Sequence, residues 1–177
     1  CVWTLEEMGV KDYNLVTMPF PPRYRYRKYL KKNVLGTVPL LEDRSEKGRV
    51  ERKSRMLTLS KYSNTNQNMV KSGLTESCAI PYYLVSKYGT SPEQQKLIVK
   101  PGERDYNHFL NFMFQADATL TFPQTLVLRY TLQEPNTADK VVSDYTKWYI
   151  ARLKLLNHHL SDGREFLCCD RFTICDI

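Results

Sequence analysis

The sequence predicts an α+β domain followed by an all-helical domain. In the first half, short apolar runs typical of strands alternate with helical stretches, and prolines or glycines separate them. In the second half, apolar residues recur every three or four positions along two long stretches, as on the buried face of a helix. The intervening stretch contains Gly, Ser and Pro and is typical of a linker. We therefore expect domains at residues 1–88 and 103–177, joined by a linker at 89–102.

Local signals indicate the elements of the first domain. A helix over residues 1–8 should end at Gly9, because glycine readily adopts the left-handed conformation at a helix C-terminus. After it we expect a strand at 13–18, a helix within 23–32, a strand at 38–41, a strand just before Thr75 and a helix at 76–88. Pro81 argues against that last helix, since an interior proline costs about 3 kcal/mol. The order of these elements is typical of a thioredoxin-like domain.

The second domain contains two amphipathic patterns. The first comprises Tyr106, Phe109, Leu110, Met113, Ala116, Asp117 and Leu120, and the second comprises Val142, Tyr145, Tyr149, Leu153, Leu156 and Leu160. Pro123 should kink or divide the first helix. Asn136 with Asp139 should begin the second helix, and residues 161–163 should end it. We predict two long helices whose aromatic residues lie mostly in a core.

Composition excludes several classes of protein. With 177 residues, of which 42% are hydrophobic and 12% aromatic, the chain can form a packed core and is not expected to be disordered. No run approaches the roughly 20 apolar residues that span a bilayer, so we expect no membrane partner. The chain starts at Cys1 with neither a basic region nor a Met. We infer a cytoplasmic protein that lacks its beginning.

The cysteines and histidines predict no metal site. The five cysteines are odd in number and lack paired two-residue spacing, so we expect reduced, partly buried thiols and no disulfide framework. His158 and His159 are adjacent, and neighbouring helix positions diverge by about 100°, which makes a shared ion implausible. We expect His108 to be an ordinary side chain.

The positive charge is local. The chain has a formal net charge of +7, and residues 44–73 contain eight basic and two acidic residues, so they carry +6 of it. Residues 60–68 within that segment are polar, and we expect disorder there. The segment fits a surface insertion, translated noncoding sequence or a phosphate-binding arm, and its composition does not separate these alternatives.

Two short motifs carry the strongest functional signal. In residues 37–41, the pair Val38-Pro39 enters an apolar run; such a bend, especially with a cis bond, presents an open N–H and C=O to an extended ligand. In residues 74–80, Glu76 and Ser77 begin a predicted helix, whose free amides attract a carboxylate while Glu76 can receive an ammonium. A γ-glutamyl peptide carries both groups on one carbon, so we expect a peptide-thiol site.

These motifs resemble the glutathione transferase family. The family's first-helix end, cis-proline strand, helix-three motif and capping box resemble, in that order, residues 3–9, 35–41, 76–80 and 171–177. In the last motif the Thr173 side chain would cap a helix, and the Asp176 side chain, three residues later, would accept from the Thr173 backbone N–H. Phe172 would pack on Ile177. The resemblance implies a thioredoxin-like N-terminal domain and an all-α C-terminal domain, both incomplete. The first strand and the C-terminal helices would be missing.

The resemblance also implies the site. Val38 would pair with the backbone of glutathione, Pro39 would hold that geometry, and Glu76 with Ser77 would grip the γ-glutamyl end. Phe112, Phe114 or Tyr130 would line a pocket for a hydrophobic co-substrate. Glutathione would be the co-substrate, with no cofactor or metal, and its thiolate would attack a small electrophile, as in detoxification. The full-length parent would be a homodimer.

The enzymatic status of this fragment stays open at the level of sequence. In the family, a Tyr, Ser or Cys near the start of the first helix activates the sulfur, and we expect that residue to lie upstream of Cys1. The fragment by itself is therefore expected to be inactive. One alternative is a noncatalytic binding module with the same fold. Another, which we do not favour, is nucleic-acid binding through residues 44–73.

Overall fold

The computed structural model describes residues 1–18, 26–43 and 73–177. The elements, in chain order, are α1 (Val2–Glu7), α2 (Arg27–Leu30), β1 (Leu41–Glu42), β2 (Gly73–Leu74), α3 (Ala79–Tyr88), α4 (Pro92–Gln95), α5 (Tyr106–Gln115), a π-helical segment (Ala116–Thr121), α6 (Phe122–Leu128), a second π-helical segment (Arg129–Gln133) and α7 (Asp139–His159). The prediction of disorder and the phosphate-binding alternative for residues 44–73 fall almost entirely outside the described residues.

The chain divides into two compact units. Val16–Glu76 forms one, which we call the strand unit, and Cys1–Leu15 with Ser77–Ile177 forms the other, which we call the helical unit. The domain boundaries expected at residues 88 and 103 stay a prediction.

The strand unit contains an antiparallel strand pair. Leu41 lies opposite Leu74 and Glu42 opposite Gly73. The strand predicted just before Thr75 is confirmed, whereas the strand predicted at 38–41 begins only at Leu41. The physical reason lies upstream of β1, since Pro39 has no N–H to donate to a ladder and the Thr37 carbonyl already accepts side-chain hydrogen bonds.

The strand predicted at residues 13–18 is wrong, because these residues are irregular. A strand requires a hydrogen-bonded neighbour, and within the described ranges β1 and β2 pair only with each other. An apolar sequence pattern indicates that a segment could be extended, but it does not indicate which neighbouring strand would form hydrogen bonds with that segment.

The helical unit begins with α1, whose end agrees with the prediction. Gly9 has a φ of +67°. Its N–H donates to the Glu6 carbonyl at 2.9 Å, and the Val10 N–H donates to the Leu5 carbonyl at 2.9 Å. These two bonds satisfy carbonyls at the helix end and require the left-handed residue that glycine provides at low cost.

Helix α3 begins at Ala79, three residues later than predicted. This start places Pro81 in the first turn, where the missing N–H would have had no intrahelical partner. A helix that begins at Ala79 therefore tolerates Pro81, whereas a helix that began at Glu76 would be broken by this proline. Ile80 and Leu84 are buried, which confirms part of the predicted apolar face.

The predicted linker contains ordered structure. Helix α4 begins with a capping box, in which the Ser91 hydroxyl accepts from the Gln94 N–H and the Gln94 side chain accepts from the Ser91 N–H. The residues that follow, Leu97, Ile98 and Val99, are buried.

Two long helical stretches follow, as predicted. The first runs over α5, α6 and the two π-helical segments, and Pro123 lies in the first turn of α6. The second is α7, which begins at Asp139 and ends at His159. No residue of α7 is buried, whereas α5 buries Phe109 and Met113. The core of the helical unit therefore lies around α3, α5 and residues 97–99.

The side-chain hydrogen bonds predicted for the capping box at residues 171–177 are present, but residues 174 and 175 form a turn and no helix follows in residues 176–177. Asp176 Oδ2 accepts from the Thr173 N–H at 2.8 Å, and the Cys175 N–H donates to the Thr173 hydroxyl at 3.3 Å. The Phe172 ring lies 6.0 Å from the Trp3 ring. The contact expected between Phe172 and Ile177 stays a prediction.

Two searches of the described ranges concern membranes and metals. None of the helices in residues 1–18, 26–43 and 73–177 has the length and apolar character to cross a bilayer. The same residues contain no group of three or more His, Cys, Asp or Glu side chains that could hold a metal ion.

Candidate functional site

In the strand unit, the Val38–Pro39 peptide bond is cis. Val38 is 40% exposed. Val38 therefore lies in an exposed bend just before β1. Its pairing with an extended ligand stays a prediction.

Two buried side chains hold the chain before this bend. Asn33 is 4% exposed and its Nδ2 donates to the Thr37 carbonyl at 2.8 Å, while its Oδ1 accepts from the Leu35 N–H at 3.0 Å. The hydroxyl of buried Tyr29 donates to the same Thr37 carbonyl. Asn33 thus bridges both sides of the turn that leads to Val38. Sequence reasoning missed it, and the signal was an asparagine three residues before Gly36, a residue type common in turns.

Replacing Asn33 by Ala should loosen this turn. The Leu35 N–H and the Thr37 carbonyl each lose a partner, so we expect a local destabilisation of about 2 kcal/mol. Amide hydrogen exchange at Leu35 should accelerate accordingly. Asn33→Asp should be no better than Ala, because it places a carboxylate oxygen against the Thr37 carbonyl. The exposed Asn157→Ala provides the matched control, and unchanged exchange at Leu35 in Asn33→Ala would contradict the assigned role.

Glu76 lies in the strand unit, at the same end of the strand pair as Pro39. Each of these residues lies two positions beyond the Leu41–Leu74 pair, and the strands are antiparallel. Glu76 is exposed, and its Oε1 accepts from the Thr75 hydroxyl at 3.3 Å. An exposed carboxylate with one weak neutral partner remains available to an ammonium.

Ser77 is the first residue of the second segment of the helical unit. Its hydroxyl donates to Asp117 Oδ1 at 2.7 Å, and its carbonyl accepts from the Cys1 thiol at 3.6 Å. Asp117 belongs to the first π-helical segment, a local geometry that is frequent at functional sites. Sequence reasoning placed Asp117 only within an apolar helix pattern. Its charge on that face was the signal that could have marked it.

The Ser77–Asp117 pair influences the neighbouring thiol. Burial, and then the hydrogen bond and charge of Asp117, raise the pKa of Cys78 to about 11. Cys78 is therefore protonated near neutral pH and is not an activated nucleophile. Burial likewise raises the pKa of Cys168 to about 12, so this thiol is also unreactive.

The three residues predicted for a hydrophobic pocket are separated. Phe112 lines a cavity of about 200 Å³ between α5 and α7, where its ring lies 4.9 Å from that of His159. Phe114 is 70% exposed, and Tyr130 lies beneath the Arg129 guanidinium at 5.8 Å from its ring. Phe114 and Tyr130 do not line that cavity. Their role in binding a co-substrate stays a prediction.

The solved structures that are similar to this chain include two glutathione transferases. The glutathione transferase URE2P8 from Phanerochaete chrysosporium, solved with oxidized glutathione, has a TM-score of 0.72 at 20% identity, covering 98% of this chain and 66% of that chain. The glutathione transferase URE2P6 from the same organism, also in complex with oxidized glutathione, has a TM-score of 0.71 at 22% identity, covering 97% of this chain and 66% of that chain. No protein-family model and no curated protein matches the sequence.

This chain thus spans 66% of the length of each of these two structures. Its short strand pair and its mostly helical remainder fit an incomplete thioredoxin-like domain followed by a helical domain. The chain has the glutathione transferase fold, with an incomplete thioredoxin-like domain and a helical domain.

Proposed function

We propose that this chain belongs to a glutathione transferase-like protein, that the chain binds glutathione, and that the whole protein conjugates the glutathione thiol to small electrophiles. One observation carries the proposal: the exposed Val38 before cis-Pro39 lies at the same end of the strand pair as the exposed carboxylate of Glu76. The similar structures from Phanerochaete chrysosporium contain oxidized glutathione, which supports this choice of ligand.

Each predicted residue has a distinct role in this proposal. The backbone of Val38 pairs with the peptide of glutathione, and Pro39 holds the bend. The Glu76 carboxylate receives the ammonium of the γ-glutamyl end. Because the Ser77 hydroxyl already donates to Asp117, Ser77 offers its backbone N–H to the γ-glutamyl carboxylate. Asp117 is a positioning residue that holds the Ser77 side chain.

The reaction is a nucleophilic displacement. The glutathione thiol loses its proton, and the sulfur forms a bond to an electrophilic carbon. The bond from that carbon to its leaving group breaks, and the leaving group departs with the bonding electrons as a halide ion. The residue that assists loss of the thiol proton is not assigned. We further propose that the whole protein is a homodimer, that it is located in the cytoplasm, and that it acts in detoxification.

Glutathione binding tests the proposal directly. The full chain should be retained on immobilised glutathione and eluted by the free peptide. Glu76→Gln should weaken binding about tenfold, because it removes a charge-assisted hydrogen bond. Ser77→Ala should weaken binding less, since its backbone N–H remains. The controls are Glu93→Gln and Ser143→Ala, which change exposed residues of the same types on α4 and α7.

Three results would count against parts of the proposal. Failure of the unmodified chain to bind glutathione in calorimetry would overturn it, and equal binding by Glu76→Gln would remove the assigned role of Glu76. Glutathione binding without conversion of 1-chloro-2,4-dinitrobenzene by the full-length protein would overturn the transfer step and support the noncatalytic binding module.

A further inference from the structure

The turn at residues 33–36 presents two apolar side chains to solvent. The Gly36 N–H donates to the Asn33 carbonyl at 3.0 Å, so Val34 and Leu35 are the central residues of the turn. Val34 is 87% exposed and Leu35 is 69% exposed. Central turn positions favour Gly, Pro, Asn, Asp and Ser, so two aliphatic side chains are unusual there. Adjacent exposed apolar side chains of this kind indicate a surface that meets an apolar partner.

Buried Asn33 fixes the backbone of this turn. Asn33 is 4% exposed, and its Oδ1 accepts from the Leu35 N–H at 3.0 Å. Gly36 has a φ of +65°, a conformation that glycine adopts at low cost. Because the backbone is already held, little conformational entropy remains to be lost when Val34 and Leu35 contact a partner.

Cations precede the turn. Arg27, Lys28 and Lys31 are exposed, and none of them forms an ion pair with a carboxylate in the described part of the chain. No Asp or Glu occurs between residues 26 and 38. Lys31 is three residues from Val34, so their Cα atoms lie within about 11 Å of each other. Exposed apolar area therefore lies beside unpaired positive charge, a combination that binds peripheral proteins to anionic lipids.

We propose that residues 26–36, which we call the basic tip, dock on the surface of an anionic bilayer. Val34 and Leu35 enter the region between the lipid headgroups and the acyl chains, while the three exposed cations contact the anionic headgroups. Docking of this kind requires no helix that spans the bilayer. The proposal replaces the expectation of no membrane partner, which rested on the lack of a long apolar run in the sequence.

A second copy of the chain is a less suitable partner for the basic tip. In a two-fold contact both copies present the same residues, so the three cations of one basic tip would meet those of the other. An anionic bilayer complements this charge instead. A bilayer is also fluid, so it requires no pocket that matches the shape of the turn. Charge complementarity therefore favours the bilayer.

A tryptophan introduced in the basic tip tests its insertion. Leu35→Trp, in a Trp3→Phe and Trp148→Phe background, provides the sole tryptophan of the full chain. With vesicles of equal parts phosphatidylcholine and phosphatidylserine, its emission should shift to the blue and should be quenched by lipids brominated on their acyl chains. Leu155→Trp in the same background is the matched control, because Leu155 is 65% exposed on α7, and it should show neither change.

Quenching separates insertion of the basic tip from adsorption by charge alone. Residues 44–73 carry +6 of the net charge and can attract the chain to anionic vesicles without any apolar contact. Such adsorption would leave the Leu35→Trp emission unquenched.

Sedimentation with the same vesicles assigns the contributions. Leu35→Ser should weaken vesicle binding about tenfold, because burial of an apolar side chain is lost. Lys31→Gln should weaken it about fivefold, the effect of removing one cation near an anionic surface. Leu155→Ser and Lys154→Gln change exposed residues of the same types on α7 and should have little effect. Circular dichroism monitors folding of each variant.

Three outcomes would overturn the assignment. They are the absence of vesicle binding, equal quenching in the Leu35→Trp and Leu155→Trp chains, and unchanged vesicle binding by a folded Leu35→Ser chain. An unquenched Leu35→Trp chain together with a dimer that Leu35→Ser dissociates would assign the basic tip to a second copy instead. Calorimetry with glutathione tests the proposed function separately, because no residue of the basic tip is assigned to that ligand.

Discussion

Phe109→Ala is expected to lower the free energy of unfolding of the helical unit by about 3–5 kcal/mol, the usual cost of deleting a fully buried aromatic side chain. Phe109 is 0% exposed on α5, and its ring lies 6.4 Å from that of Tyr82 on α3. Its carbonyl also accepts from the Cys175 thiol at 3.3 Å. Truncation thus leaves a cavity where α5, α3 and the C-terminal segment meet.

Urea unfolding followed by circular dichroism measures this effect. Whole domains are stable by only about 5–15 kcal/mol, so Phe109→Ala should shift the midpoint strongly or leave the unit largely unfolded. Phe114→Ala is the matched control, since it removes the same side chain from a 70% exposed position on the same helix. We expect that change to stay within about 0.5 kcal/mol. Similar losses for the two variants would contradict the location of the core.

Asp176→Ala is expected to cost about 3 kcal/mol of the same free energy. The carboxylate accepts from the Thr173 N–H at 2.8 Å, from the Leu167 N–H at 2.9 Å and from the Thr173 hydroxyl at 3.1 Å. Hydrogen bonds to a charged acceptor contribute about 1.5–3 kcal/mol each, and Thr173 is fully buried, so water cannot replace the lost partner fully. Asp176→Asn should lose less, because one acceptor oxygen remains.

Asp144→Ala is the matched control for this prediction. The Asp144 side chain is 52% exposed on α7 and pairs with Lys140, also on the surface. Exposed ion pairs contribute about 0–1 kcal/mol, so this variant should unfold near the midpoint of the unmodified chain. Equal midpoints for Asp176→Ala and Asp144→Ala would show that the three hydrogen bonds of Asp176 do not hold residues 167–176 together.

Local chemistry explains why several elements could be predicted. The end of α1 could be predicted because the left-handed conformation of Gly9 depends on that residue alone. The burial of residues on α5 could be predicted from their apolar spacing because one face of a helix packs against the core. Thr173 and Asp176 are three residues apart, so the pattern of the capping box already contains its geometry. Such features depend on residues close in sequence.

The first residues of α3 and β1 differ from the predictions because they depend on competing interactions. Pro81 was expected to oppose the helix, yet a start at Ala79 reconciles the two by placing it in the first turn. The strand expected at 38–41 begins only at Leu41, because Pro39 has no N–H to donate to a ladder. Strand propensity is a property of each residue by itself, and it does not indicate which group will form a hydrogen bond with a given backbone N–H or C=O.

The cis-proline motif, the exposed glutamate and the helical second half were all readable from the order of residues, because each rests on neighbours within a few positions. Folding alone brought Ser77 to Asp117, forty positions away in sequence, and the Cys175 thiol to the Phe109 carbonyl. Contacts of that range depend on how helices pack, and packing is decided by the whole set of buried side chains rather than by any one segment.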